Sequence, residues 1–194
     1  MLLPCQRLLV WFVVLLAVGL KTGALLAWNN NARSITALQC SQIEVFDSVF
    51  DTESCSLIDE ELTVGGRGHT IYLRTAENVI PQPRSMAEHA IEAVLQRLND
   101  NSPCAEYWWR DEWMNLEVHR DLDENLWKEN HTFRTPKNGH VLYLKVGEQV
   151  RGPTILLHDK EEHAEDRKDN QCSQFDKITL VPAVTGRLLR FNGI

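Results

Sequence analysis

The sequence carries no basic excess: 27 acidic side chains outweigh 20 Lys and Arg, for a formal charge of −7. Nucleic-acid binding needs a positive footprint to meet phosphates, so no nucleic-acid partner is expected. No two of the five cysteines are close together, which removes zinc-finger and zinc-ribbon designs. No tract is of low complexity, which removes the disordered and fibrous classes. No apolar run reaches the roughly 20 residues of a comfortable membrane span.

What is present begins with size. At 194 residues, 43% of them hydrophobic, the chain is long enough for one globular domain of ordinary size. Leu8 to Leu20 is a thirteen-residue apolar run between Arg7 and Lys21. That is the length of a signal-peptide core. Gly23, Ala24 and Ala27 are small but form no clean A-x-A site, so residues 1–28 read as a signal peptide or as a signal anchor holding the membrane through residues 8–28. The bland reading of the run is a buried N-terminal helix. The secretory pathway is the expected location: the lumen of the endoplasmic reticulum or Golgi, or a membrane-anchored form. Beyond Cys5, the cysteines Cys40, Cys55, Cys104 and Cys172 are an even set that suits up to two disulfides, with all three connectivities open. Asn130, His131 and Thr132 form an N-glycosylation sequon.

Residues 29–42 are polar and read as a linker or a first strand, ahead of a domain over 43–194. "GRGHTIYLRTAEN" (Gly66 to Asn78) predicts a strand after a Gly-rich turn. "RSMAEHAIEAVLQRLND" predicts a helix, with Met86, Ala90, Ile91, Val94, Leu95 and Leu98 on one stripe, His89 off it, and Ser85 and Glu88 in capping-box positions. After Pro103 the character is β: "EYWWRDEWMNLEVHRD", "GHVLYLKV", "GPTILLH", "DKITLVP" and "GRLLRFNG" are short runs bounded by Gly, Pro or charge. The pattern predicts a mostly β, α+β fold of the sandwich or jelly-roll kind, with one supporting helix. "DKEEHAEDRKDNQCSQ" is a charged insertion between two strands, and its His163, with His158 before it, reads as solvated loop rather than as a zinc site.

His119 and Asp121 form an H-x-D pair. On a strand, residues i and i+2 face one side, so the imidazole and the carboxylate could meet one ion. A second histidine from another strand would complete the facial triad of non-haem Fe(II) oxygenases. The alternative is two surface polar residues beside a charged turn made by Arg120, Asp123 and Glu124.

The order of motifs around the pair resembles the Fe(II)- and 2-oxoglutarate-dependent oxygenases, in particular their prolyl-4-hydroxylase-like branch. That family follows H-x-D with a "YYLN"-type strand, a "GG-x-T/L" turn and a "P…G-x-L-L-x-F" strand. Here the same order reads "HRD" (His119 to Asp121), "VLYLK" (Val141 to Lys145), "RGPTILL" (Arg151 to Leu157) and "VPAVTGRLLRF" (Val181 to Phe191). The likeness covers roughly residues 105–194. It implies a double-stranded β-helix, His119 and Asp121 as two iron ligands, Tyr143 holding the distal carboxylate of 2-oxoglutarate, and Thr154 packing beside that cosubstrate. The implied activity is a hydroxylation that consumes O2 and 2-oxoglutarate and yields succinate and CO2, on a small-molecule or peptidyl, for example prolyl, substrate.

In that family a distal histidine and a cosubstrate-pairing Arg or Lys follow the last of these strands. The sequence ends at Ile194 before either, and Arg187 and Arg190 lie on the strand itself. The resemblance therefore implies a C-terminally incomplete roll, poor iron affinity and impaired turnover for the chain as given. The alternative is a non-catalytic jelly-roll binding module that has lost its metal.

Overall fold

A computed structural model describes residues 9–15, 33–37, 43–65, 69–74, 85–110, 118–148, 150, 152–159 and 175–192. Cys40, Cys172, His163 and Arg151 fall outside them. The chain divides into two compact units: Met1–Glu148 with Val184–Ile194, and Gln149–Ala183.

The larger unit is α+β. Its elements are β1 (Leu9–Leu15), β2 (Arg33–Ala37), β3 (Ile43–Asp47), α1 (Thr52–Gly65), β4 (Thr70–Leu73), α2 (Met86–Arg97), β5 (Cys104–Arg110), α3 (Glu124–Asn130), β6 (Asn138–Tyr143) and β9 (Leu188–Asn192). The strands form one seven-stranded sheet in the order β2-β3-β9-β6-β1-β5-β4. Every pairing in it is antiparallel except those of β1, which runs parallel to β5 on one side and β6 on the other. The smaller unit is the hairpin of β7 (Thr154–Asp159) and β8 (Phe175–Val181), paired antiparallel with Ile155 opposite Leu180 and Leu157 opposite Ile178.

The apolar run expected as a leader thus supplies β1, a strand hydrogen-bonded on both edges, and not a helix. A continuous apolar run suits a strand in the middle of a sheet as well as it suits a signal core, and periodicity alone does not separate them. No helix among the described residues is long and apolar enough to cross a membrane.

The predicted helix is α2. Ser85 accepts the Glu88 N–H at 3.0 Å and Glu88 accepts the Ser85 N–H at 3.4 Å, which closes the capping box. Ala87, Ala90, Ile91, Val94 and Leu95 are buried, and His89 faces out as expected. A second helix, α1, begins where Asp51 accepts the Ser54 N–H at 2.7 Å, a bond that holds the Asp51 carboxyl below its ordinary range. Both carboxylate oxygens of Glu61 on α1 accept the Met86 N–H at 2.8 Å, so one helix caps the other.

Both helices cover one face of the sheet. Cys55, Ile58 and Leu62 of α1 and the α2 stripe cluster with Tyr72 of β4, Ala105, Tyr107 and Trp109 of β5, Leu142 of β6 and Leu188 of β9. On β5 the contributing residues alternate, as period-2 side-chain geometry requires. β6 is buried along its whole length, on both faces. At Gly139 a Cβ would lie 2.4 Å from the Phe191 ring opposite, so a side chain there would have to displace that ring.

Polar groups lock the edge of this core. Asp100, after α2, accepts from the Ser102 N–H (2.9 Å), the Ser102 hydroxyl (2.6 Å) and the Asn138 side-chain amide (2.6 Å). Arg74 forks onto Glu92 (2.8 and 2.9 Å) and donates to the carbonyls of Asp100 and Ser102. One network therefore ties the end of β4, α2, the loop before β5 and the start of β6. It satisfies groups that burial would otherwise leave costly.

Candidate functional site

His119 and Asp121 lie in the loop that leads into α3, not on a strand as expected. The local reason is Asp123. Its side chain accepts the Leu126 N–H at 2.9 Å and so caps α3, while its own N–H donates to the Arg134 carbonyl at 2.9 Å. An Arg134–Asp123 ion pair closes the same ring. At the far end His131 takes a left-handed conformation (φ 54°), and Trp127 packs on the His131 and Phe133 rings. The loop, helix and return form a clasp anchored on Asp123.

Within that clasp His119 Nε2 stands 3.5 Å from Asp121 Oδ1. The imidazole is more than half exposed (56%) and the carboxylate is mostly covered (19%). Burial pushes the Asp121 carboxyl above its ordinary value, and the neighbouring His119 pulls it partly back. A half-desolvated carboxylate is a group that gains from a nearby cation.

The spacing also fits a shared metal ion. Donors about 2.1 Å from one ion lie about 3.0 Å apart at a right angle and about 3.4 Å apart at a tetrahedral angle. The observed separation needs only a small closure. The pair thus has the donor types and the distance for a two-ligand half-site, one face of which is open to solvent through His119. Among the described residues no group of three or more His, Cys, Asp or Glu side chains is placed to hold an ion.

Tyr143 is fully buried (1%) at the end of β6. Its N–H donates to the Arg187 carbonyl (2.9 Å) and its carbonyl accepts the Gly186 N–H (2.7 Å). Gly186 has φ 76°, a turn conformation open to glycine, and brings the Val49 N–H onto its carbonyl. Thr154 opens β7 on the hairpin unit, opposite Val181. The structure thus joins His119 to Asp121, sets Tyr143 in the sheet and places Thr154 in the other unit.

The two arginines on and before β9 have carboxylate partners. Arg187 forks onto Asp47 (2.5 and 3.0 Å) and Arg190 reaches Glu44 at 2.6 Å, both on β3. His158 on β7 meets the Thr179 hydroxyl at 2.9 Å, which makes it part of the hairpin rather than of a metal cluster. Cys55 is a wholly buried thiol, pushed up to about 12 by burial first and by the charges of Asp51 and Asp59, so it has no thiolate reactivity near neutral pH.

One residue that sequence reasoning passed over is His140. It sits in the middle of β6, 1% exposed, directly opposite Arg190. Burial, helped by the Arg190 charge and opposed by Asp100, pulls it down to about 3, so the ring is neutral at any physiological pH. The available signal was a titratable residue immediately before the apolar run Val141, Leu142, Tyr143 and Leu144, in a strand buried on both faces.

Set against known proteins, the chain matches no family model, no curated protein and no solved structure.

Proposed function

We propose that the chain is an Fe(II)- and 2-oxoglutarate-dependent hydroxylase fold of the jelly-roll, double-stranded β-helix kind. The observation that carries the reading is the 3.5 Å approach of His119 Nε2 to Asp121 Oδ1, in the motif order of that family. His119 and Asp121 would hold the metal, the first as a neutral imidazole and the second as a carboxylate whose burial favours a cation beside it. Bound there, iron with 2-oxoglutarate and O2 would supply hydroxylation of a substrate C–H bond. The Asp123–Arg134 clasp fixes the chain two residues beyond Asp121, and Tyr143 is the hydroxyl the resemblance assigns to the cosubstrate. The substrate class is a small molecule or a peptidyl side chain.

The same reading places the chain in the secretory pathway, directed by residues 1–28. That role and the place of Leu9–Leu15 in the sheet exclude each other within one molecule, because a strand paired on both edges is not available to a membrane.

Two measurements test the proposal. Visible absorption on Co(II) titration reports the half-site directly, and His119→Ala is expected to weaken binding on the order of 100-fold, at least what losing an outer hydrogen-bonding partner costs a metal site. Succinate formation with Fe(II) should fall in step. Metal affinity and turnover equal to wild type in both His119→Ala and Asp121→Ala refute the assignment. Absence of metal binding in the wild-type chain refutes the iron reading.

A further inference from the structure

Asn130 heads the one N-x-S/T tripeptide in the 194 residues. It ends α3, and the whole stretch from Lys128 to Phe133 is exposed. The left-handed turn at His131 stops the helix at the acceptor residue, so the tripeptide leaves the helix as a surface turn. Within it Asn130 Oδ1 accepts the Thr132 N–H at 3.1 Å. That bond holds the asparagine side chain folded back on the hydroxy residue that the motif requires. Beside the acceptor stand Trp127 and Phe133, their rings 4.4 Å apart and Phe133 70% exposed. An exposed aromatic face of this kind is a surface on which the apolar face of a sugar ring packs.

We propose that Asn130 is an N-glycan attachment site, a modification that rests on the secretory reading given above. The donor class is an oligosaccharide carried on a lipid diphosphate. The step forms a bond from Asn130 Nδ2 to the first sugar carbon and breaks the bond from that carbon to the diphosphate oxygen. The lipid diphosphate leaves with the electron pair, and one Nδ2 proton passes to a base of the transferase; nothing is oxidised or reduced. The sugar then covers Phe133, an apolar side chain that the fold itself leaves in water.

The test is translation of the full chain with endoplasmic-reticulum microsomes, beside the same full chain preceded by a standard cleavable leader. The expected result is one step of reduced gel mobility, reversed by an N-glycosidase, absent in Asn130→Gln and Thr132→Ala, and kept in Thr132→Ser. A leader-bearing chain that is protected from added protease but unmodified overturns the Asn130 assignment. Modification of the leader-bearing chain alone overturns the secretory reading while upholding Asn130 as a competent acceptor. Modification that persists in Asn130→Gln also overturns the assignment.

Discussion

Acid should weaken this protein well above the pH at which its carboxylates titrate, and His140 is the reason. In the unfolded chain an imidazole takes up a proton near pH 6.5, whereas in the fold His140 stays neutral until about 3. Between those values the unfolded state binds one more proton than the native state. Stability therefore falls as pH drops, by about 1.4 kcal/mol per unit once below 6.5. At pH 4.5 the accumulated loss is about 3 kcal/mol, a large share of the roughly 5–15 kcal/mol that holds a typical domain. With a urea slope of about 2 kcal/mol per molar, that is a midpoint shift of about 1.5 M. The perturbation is His140→Leu, which keeps an apolar core strand and removes the titration. Urea midpoints at pH 7.5, 6.0 and 4.5 would be compared between the two proteins. The variant starts from a different stability, but its pH dependence over this range should flatten, and titrations elsewhere are common to both chains. Parallel pH profiles for wild type and His140→Leu would refute the burial argument.

Asp100→Asn should cost about 2 kcal/mol at neutral pH, since the bonds from Ser102 and Asn138 hold the carboxyl down to about 2 against the opposing cost of burial. The contribution is present above about 3.8 and is lost as pH falls through 2, so the variant should lack the wild-type decline over that window; acid titration of the circular dichroism signal reads it. Gly139→Ala should destabilise by about 1–3 kcal/mol through collision with the Phe191 ring, and Phe191→Leu in the same chain should recover part of the loss, which a double-mutant cycle of urea midpoints would detect.

Much of both units was legible from the residues. α2 was, because its stripe repeats at 3.6 residues and Ser85 with Glu88 marks its start in a way few loops imitate. The strands β6 to β9 were, because each is a short apolar run cut off by Gly, Pro or charge. α1 was not, because its inner face carries Ser54 and Asp59 among Cys55, Leu57, Ile58 and Leu62, and those polar positions blur the stripe. β1 was not, because an unbroken apolar run fits a leader, a buried helix and a central strand equally well.

The candidate site divides in the same manner. The closeness of His119 and Asp121 followed from their spacing, since in any extended backbone i and i+2 lie near one side. The loop state followed from Asp123 and Arg134, whose pairing spans the helix between them and leaves no mark in the immediate sequence. The positions of Tyr143 and Thr154 in separate units depend on contacts across the chain, which a single sequence does not carry.

The position of β1 has a consequence in time. Leu9 is paired with Cys104 and Val10 with Asn138, so this strand has partners that are made about a hundred residues later. At about 5–20 residues per second, the ribosome takes about 5 to 25 seconds to deliver β5 and β6. For that interval Leu9–Leu15 is an apolar segment with both edges open, and any hydrophobic acceptor at the ribosome competes with a sheet that does not yet exist. Which of its two destinations the segment reaches is then decided by the race between capture and synthesis. Slowing translation ahead of Cys104 should favour capture, and speeding it should favour the sheet.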